Sequence, residues 1–250
     1  AGEAFRTKFL AADGTIQESS QTGFALAFSI DLIPDELRAK ATEQFVKSIE
    51  QKDWHLATGF VGTQRLLPAL TAAGRSDVAY RLLLQETFPS WLFQVKLGAT
   101  TMWERWDGWT PEKGFQDPGM NSFNHYAFGS VGQWMYGAVA GIETDTPGFK
   151  TFTIKPVIGE GLTHAEATYK SVRGEIKSGW KKEADGTLKF DITVPPNTSA
   201  MVFIPAESPQ VVTEGGEPMV DRPGVQFIDR EGACAVYKVA SGSYHFASKP

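Results

Sequence analysis

The sequence predicts a chain in two parts, a set of helical hairpins followed by an antiparallel β-sandwich. Three observations predict it. From about residue 21 to 141 the apolar residues recur at helical spacing. After Gly148 they alternate with a period of two. Turn-forming pairs such as Asp185-Gly186, Pro195-Pro196-Asn197 and Gly215-Gly216 then cut the second part into short strands at the spacing of a sandwich. The change of period places the boundary between Glu143 and Pro147, giving a helical part over 1–143 and a strand part over 144–250.

The helices follow in order. From Asp35 to Gln51 neither Gly nor Pro interrupts the chain, and Leu37, Ala41, Phe45 and Ile49 fall four apart on one face. Pro34 suits the first turn, where a missing N–H costs nothing. A second helix is expected from Phe60 to Ala73 with Phe60, Thr63, Leu66, Leu67 and Leu70 inward, and Gly74 is a natural stop. Ser76 is a candidate cap for a third, carrying Val78, Leu82 and Leu83. Ser90 is a candidate cap for a fourth, carrying Trp91, Val95 and Leu97. The last runs from Tyr126 to Ala140 and is apolar nearly all round, which predicts burial on most sides. Its glycines, Gly129, Gly132 and Gly137, each weaken a helix by roughly 1 kcal/mol relative to Ala, so they suit close approach of a backbone or ligand.

In the second part, 149–154 alternates up to the stop at Pro156, and Leu188, Phe190, Ile192 and Val194 alternate with Lys189, Asp191 and Thr193. Further strands are expected at 164–172, 174–182, 199–204, 225–229 and 234–239.

Charge and composition narrow the function. The 250 residues carry a net charge of −5. Basic and acidic groups number 12 and 15 over 1–141, and 12 and 14 over 142–250, so neither part offers an electrostatic grip on nucleic acid. No apolar run approaches the roughly 18 residues of a membrane span. A single cysteine, Cys234, excludes an internal disulfide, and four scattered His have no metal-ligand spacing, so neither a metal nor another cofactor is expected. There is no phosphate-binding loop and no nucleophile elbow. The chain starts at Ala1 without the charged-then-apolar pattern of a signal peptide, which leaves its compartment open and fits a piece of a longer protein.

The chemistry concentrates around three tryptophans. Six of the seven Trp lie between 54 and 134, and three fall within Trp103-Glu104-Arg105-Trp106-Asp107-Gly108-Trp109. A Gly- and Pro-rich stretch, Thr110 to Phe123, reads as a long ordered loop. Ring faces beside carboxylates suit a sugar, whose C–H patches need an apolar wall and whose hydroxyls need Asp, Glu, Asn or His. Core packing of the same rings stands as the equal alternative. Glu104 tilts the balance, because a carboxylate between Trp103 and Trp106 is costly to bury unless paired or functional. An apolar wall beside it can tune it for proton transfer. Pairing with the adjacent Arg105 is the plainer alternative. His125, in Asn124-His125-Tyr126, stands at the expected start of the last helix, facing either a loop-built site or its own backbone. His55, in Trp54-His55-Leu56, has the same two readings. His164 and His245 are simplest as surface residues of the strand part.

Taken together, the run from Gly98 to Trp109 (GATTMWERWDGW) and the run from Asn121 to Gly129 (NSFNHYAFG) resemble the C-terminal part of bacterial α-L-rhamnosidases of glycoside hydrolase family 78. The stretches Gln21–Phe28 and His55–Thr63 are also similar to that family. The likeness is most specific over 21–141, looser to about 205, and without a motif beyond. It implies an (α/α)6 catalytic barrel, of which 1–143 is the C-terminal portion, followed by a C-terminal β-sandwich over 144–250. It also implies inverting hydrolysis of terminal α-L-rhamnosides, with a rhamnose-containing glycoside or oligosaccharide as the partner. In such a reaction one carboxylic acid protonates the leaving oxygen while a second carboxylate activates water, the two sitting roughly 6.5–9.5 Å apart. Glu104 matches the family's general base and His125 a histidine that hydrogen-bonds the sugar. Trp103, Trp106, Asp107 and Trp109 belong to the expected pocket wall. His55, Asn124 and Tyr126 are carried by their motifs without a distinct role.

One departure limits this expectation. The family's general acid lies upstream in a motif resembling Asp-Glu-Arg-x-Gly-Trp, which this sequence lacks, and about half of twelve helices can be counted. The expected reading is a C-terminal fragment, inactive alone, whose half-barrel exposes an apolar face that favours self-association. Two other functions stay open: a non-catalytic carbohydrate-binding module, and a helical-barrel glycosidase acting on another sugar.

Overall fold

The computed structural model describes residues 2–17, 20–219 and 222–250. The chain divides into two compact units, Ala1–Trp134 and Met135–Pro250. The first is helical, the second a pair of packed sheets.

The helical unit contains α1 (Gly2–Phe9), α2 (Gln21–Ser29), α3 (Asp35–Glu50), α4 (Phe60–Ala72), α5 (Ser76–Leu83) and α6 (Trp91–Lys96), then two single turns, α7 (Tyr126–Gly129) and α8 (Val131–Trp134). Helix α3 buries Ala41, Phe45 and Ile49 as its spacing predicts, while Leu37 is half-buried. The ring of Phe45 stacks on Phe24 and Phe28 of α2. Helix α4 buries Thr63, Leu66, Leu67 and Leu70, and the chain leaves it through Gly74 at φ +74°. Close approach of α2 and α4 needs Gly62, because a Cβ there would lie 2.3 Å from Thr22 Oγ1.

Three helical expectations are corrected. Ser76 is the first residue inside α5, not its cap; Arg75 holds that place and makes no side-chain cap bond. Its guanidinium instead forms a two-point bond to Asp77. Val95 does not face inward on α6 but is 55% exposed, because this short helix turns Trp91 and Gln94 to the core. Ser90 does cap it, accepting from Phe93 N–H. The single buried helix expected over 126–140 is broken at Ser130, and Met135–Val139 form a π-helical turn. Tyr126, Met135 and Tyr136 are exposed, so the stretch is not buried nearly all round as its composition predicts.

The other unit holds most of the strands. Two very short ones, β1 (Trp109–Thr110) and β2 (Gly114–Phe115), belong to the helical unit and form a hairpin. Next come β3 (Ile142–Thr144), β4 (Thr151–Ile154), β5 (His164–Ser171), β6 (Gly174–Lys182), β7 (Leu188–Val194), β8 (Ser199–Pro205), β9 (Thr213–Glu214), β10 (Glu217–Pro218), β11 (Val225–Glu231), β12 (Cys234–Val239) and β13 (Gly242–Ser248). They make a six-stranded sheet in the order β10-β9-β13-β7-β6-β5 and a five-stranded sheet in the order β11-β12-β8-β4-β3. All pairings are antiparallel except β4 with β8, since the chain leaves one sheet after β4, builds β5 to β7 in the other, and returns in the same direction. Leu188, Phe190, Ile192 and Val194 of β7 face Phe152, Ile154, Val202, Ile204 and Tyr237 of the opposite sheet in one core. That alternation is the one the sequence shows. Among the described residues no helix is long and apolar enough to cross a membrane.

Candidate active site

The site is built on two stretches of chain that lie side by side, 101–105 and 122–125. The two stretches are joined by backbone and side-chain hydrogen bonds. Thr101 Oγ1 donates to Phe123 O, His125 N–H to Met102 O at 2.8 Å, and Glu104 N–H to Ser122 O at 2.8 Å. Ser122 N–H then donates to Glu104 Oε2, also at 2.8 Å. The loop between the two stretches is closed by Asn121, whose Nδ2 donates to Gly108 O at 2.9 Å and to Gln116 O at 3.4 Å.

Helix α6 supports the same segment from below. Trp91 Nε1 donates to Phe128 O at 2.9 Å. Gln94, 1% exposed, donates from Nε2 to Arg105 O at 3.0 Å and accepts at Oε1 from Trp103 N–H at 3.3 Å.

His125 is the residue before α7 and caps it: Nδ1 accepts from Ala127 N–H at 3.3 Å. An imidazole nitrogen that accepts carries no proton, so the neutral ring is protonated at Nε2. Nε2 lies 3.8 Å from Glu104 Oε1. The ring is flanked by Phe60 at 4.7 Å and by Tyr126 at 5.2 Å between centroids. The side chains of Glu104 and His125 retain 16% and 20% exposure, which leaves each partly open to solvent. The pair thus presents one carboxylate oxygen and one N–H donor too far apart for a direct hydrogen bond, yet close enough for a third polar group to bond both from one side. Such an arrangement can orient and deprotonate a hydroxyl or a water.

The expected site residues fall into distinct places. Arg105 pairs with Asp107 (Nε to Oδ1, 3.5 Å), which leaves Glu104 to Ser122 and His125. Trp103 and Trp106 are 5% and 8% exposed. Trp103 packs edge-on against Phe123 at 5.1 Å. Trp106 stacks on Phe128 at 3.8 Å and meets Trp91 edge-on. Trp109, half-buried, lies opposite Phe115 in the β1–β2 hairpin. Asn124 is exposed, and its N–H donates to Ser122 Oγ. His55 bonds through Nε2 to Thr87 Oγ1 at 2.8 Å and through Nδ1 to Lys52 O, so neither of these bonds goes to Glu104 or His125. Gln94, Ser122 and Phe60 are site residues that the sequence does not announce. For Gln94 the available clue is an amide three residues after a buried Trp on a short helix. Among the described residues no group of three or more His, Cys, Asp or Glu could hold a metal ion.

Known proteins resemble the chain along its whole length. Residues 1–139 match the model of the bacterial alpha-L-rhamnosidase 6 hairpin glycosidase domain, and residues 141–218 match that of the bacterial alpha-L-rhamnosidase C-terminal domain. An alpha-L-rhamnosidase of Streptomyces avermitilis is 47% identical over 246 residues, covering 98% of this chain and 23% of the relative. One of Formosa agariphila is 35% identical over 249 residues, covering 99% of this chain and 27% of the relative. The chain therefore spans about a quarter of the length of the curated relatives it matches. The crystal structure of the Streptomyces avermitilis alpha-L-rhamnosidase complexed with L-rhamnose superimposes with a TM-score of 0.90 at 46% identity, covering 99% of this chain and 23% of that one. That of the Dictyoglumus thermophilum alpha-L-rhamnosidase gives 0.85 at 31% identity, covering 100% and 28%.

Proposed function

Because the chain belongs to the bacterial alpha-L-rhamnosidase 6 hairpin glycosidase family, we propose that it carries the general-base half of an inverting hydrolase that releases terminal α-L-rhamnose from glycosides. The observation that carries this reading is the division of labour on Glu104: Oε2 is tied to Ser122 N–H, while Oε1 faces His125 Nε2 at 3.8 Å. In the reaction a water sits against Oε1 and attacks the anomeric carbon as Oε1 takes its proton. The leaving oxygen receives a proton from a carboxylic acid on the opposite face, roughly 6.5–9.5 Å from Glu104, supplied by sequence outside these 250 residues. His125 Nε2–H donates to a hydroxyl of the bound sugar. Trp103 and Trp106 act by holding the segment that bears Glu104, and Asp107, Trp109 and Asn124 form the outer wall.

On this reading the 250 residues alone do not turn over substrate, since half of the acid–base pair lies elsewhere. Exposed Val61, Val95, Phe115 and Tyr126 on the helical unit support burial against further chain of the enzyme or, in isolation, against a second copy. The test is hydrolysis of a chromogenic α-L-rhamnoside by the full-length enzyme, with Glu104→Gln beside it. A folded variant slowed by on the order of 10²-fold or more supports the base role. Undiminished turnover removes Glu104 from the mechanism, and sugar binding without any turnover moves the assignment to a binding module.

A further inference from the structure

We propose that Gln94 is a positioning residue for the base, acting through Glu104 without touching substrate; this rests on the reading of Glu104 as the general base. Glu104 is gripped from two sides. On one, Ser122 takes its backbone N–H and one carboxylate oxygen. On the other, one side chain, the amide of Gln94, satisfies the outward-lying backbone groups of both neighbours, Trp103 N–H and Arg105 C=O. That amide is 1% exposed and comes from a different element, α6, whose own start is pinned by Ser90.

The chemistry of the amide is specific. Trp103 offers a donor and Arg105 an acceptor, so the spanning group must accept with one end and donate with the other. Leu or Met fills the volume and does neither, leaving a buried N–H and C=O without partners. Glu accepts from Trp103 but, when ionised, cannot donate to Arg105. A local shift of the 103–105 backbone to find new partners carries the Glu104 carboxylate with it. Displacement of a reacting group by about 1 Å can cost on the order of 10²-fold in rate. The amide touches neither His125 nor Phe60 nor Tyr126 and reaches His125 only through the Met102–Trp103 peptide, whose N–H it accepts and whose C=O takes the His125 N–H, so kcat falls by more than KM rises.

The test is a double-mutant cycle in the full-length enzyme with a chromogenic α-L-rhamnoside, using wild type, Gln94→Met, Glu104→Gln and the double variant. The expected result is a kcat lowered about 10- to 100-fold by Gln94→Met, a KM changed less than about threefold, and no further loss when Gln94→Met is added to Glu104→Gln. A Gln94→Met enzyme with wild-type kcat overturns the proposal, as does one whose loss multiplies fully onto that of Glu104→Gln. Should Gln94→Met fail to fold, Gln94→Glu, which keeps the length and the acceptor, is put through the same cycle and judged by the same two outcomes. Failure of the underlying reading is seen separately, as full activity in Glu104→Gln.

Discussion

Ser122 holds Glu104 at both ends: its carbonyl accepts the Glu104 backbone N–H at 2.8 Å, and its own N–H donates to Oε2 at 2.8 Å. In a regular antiparallel ladder that second N–H would bond the facing carbonyl. Here the carboxylate takes its place, so the backbone that fixes the residue also fixes the orientation of its side chain. A backbone clamp of this kind is insensitive to the identity of residue 122, which explains why no side-chain pattern in the sequence announces it.

His125 combines two roles that substitution can separate. His125→Asn keeps a strong capping residue ahead of α7 but withdraws the N–H that reaches toward Glu104. We expect the full-length enzyme carrying it to retain its melting temperature and to lose about 10- to 100-fold in kcat/KM, the size of one lost hydrogen bond to substrate. His125→Ala should show the same kinetic loss and also a stability loss of about 1 kcal/mol from the missing cap. Kinetics and thermal melts of the two variants check both statements.

Trp106 lies flat on Phe128 at 3.8 Å and is 8% exposed. Trp106→Ala should therefore destabilise the helical unit by about 3–5 kcal/mol, measured by denaturant unfolding. Trp106→Phe should cost markedly less, since a ring remains to stack. Equal losses for both would point to a requirement for the indole itself.

Gly141 stands at φ +79°, and a Cβ on it would lie 2.2 Å from Pro156 N and 2.4 Å from Lys155 C. Both neighbours are backbone and cannot step aside as a side-chain tip would. Strain and overpacking together predict that Gly141→Ala lowers the stability of the sandwich unit by about 2–5 kcal/mol. Gly186→Ala, also at positive φ but with open space around it, should cost less. Chemical denaturation of the two variants side by side is the measurement.

Burial pushes the Tyr237 hydroxyl from its ordinary 10.0 up to about 12. The folded protein therefore keeps this proton where the unfolded chain has lost it. Its contribution to stability is complete below pH 10 and disappears as pH rises through the window from 10 to about 12. Two pKa units correspond to at most about 3 kcal/mol. Stability measured against pH should show this alkaline fall in the wild type and a shallower one in Tyr237→Phe.

The two-part architecture is legible in the sequence because period three-to-four and period two are imposed directly by burial of one helix face or one sheet face. Leu188 to Val194 and Ala41 to Ile49 are buried at the spacing their sequence shows. Short elements escape this logic. Strands β9 and β10 are two residues each, and nothing in the local pattern of 126–140 marks the break at Ser130. Within the site, Glu104 stands out because it lies between Trp103 and Trp106, and His125 because it precedes the apolar run that begins at Tyr126. Gln94 does not, since one amide on a short helix has no periodicity, and its meaning comes only from the two peptides it bridges. Val95 shows the converse: an apolar residue at a plausible spacing that faces solvent once the amide takes the inner position.

The bond from Ser122 N–H to the Glu104 carboxylate spans only 18 residues of sequence. The entropy lost in closing a loop grows with the logarithm of its length, so a loop this short is among the least demanding ways to bring two functional groups together. On the proposed function, the carboxylate and the backbone that orients it are therefore neighbours along the chain, while the acid that completes the reaction comes from sequence far from both.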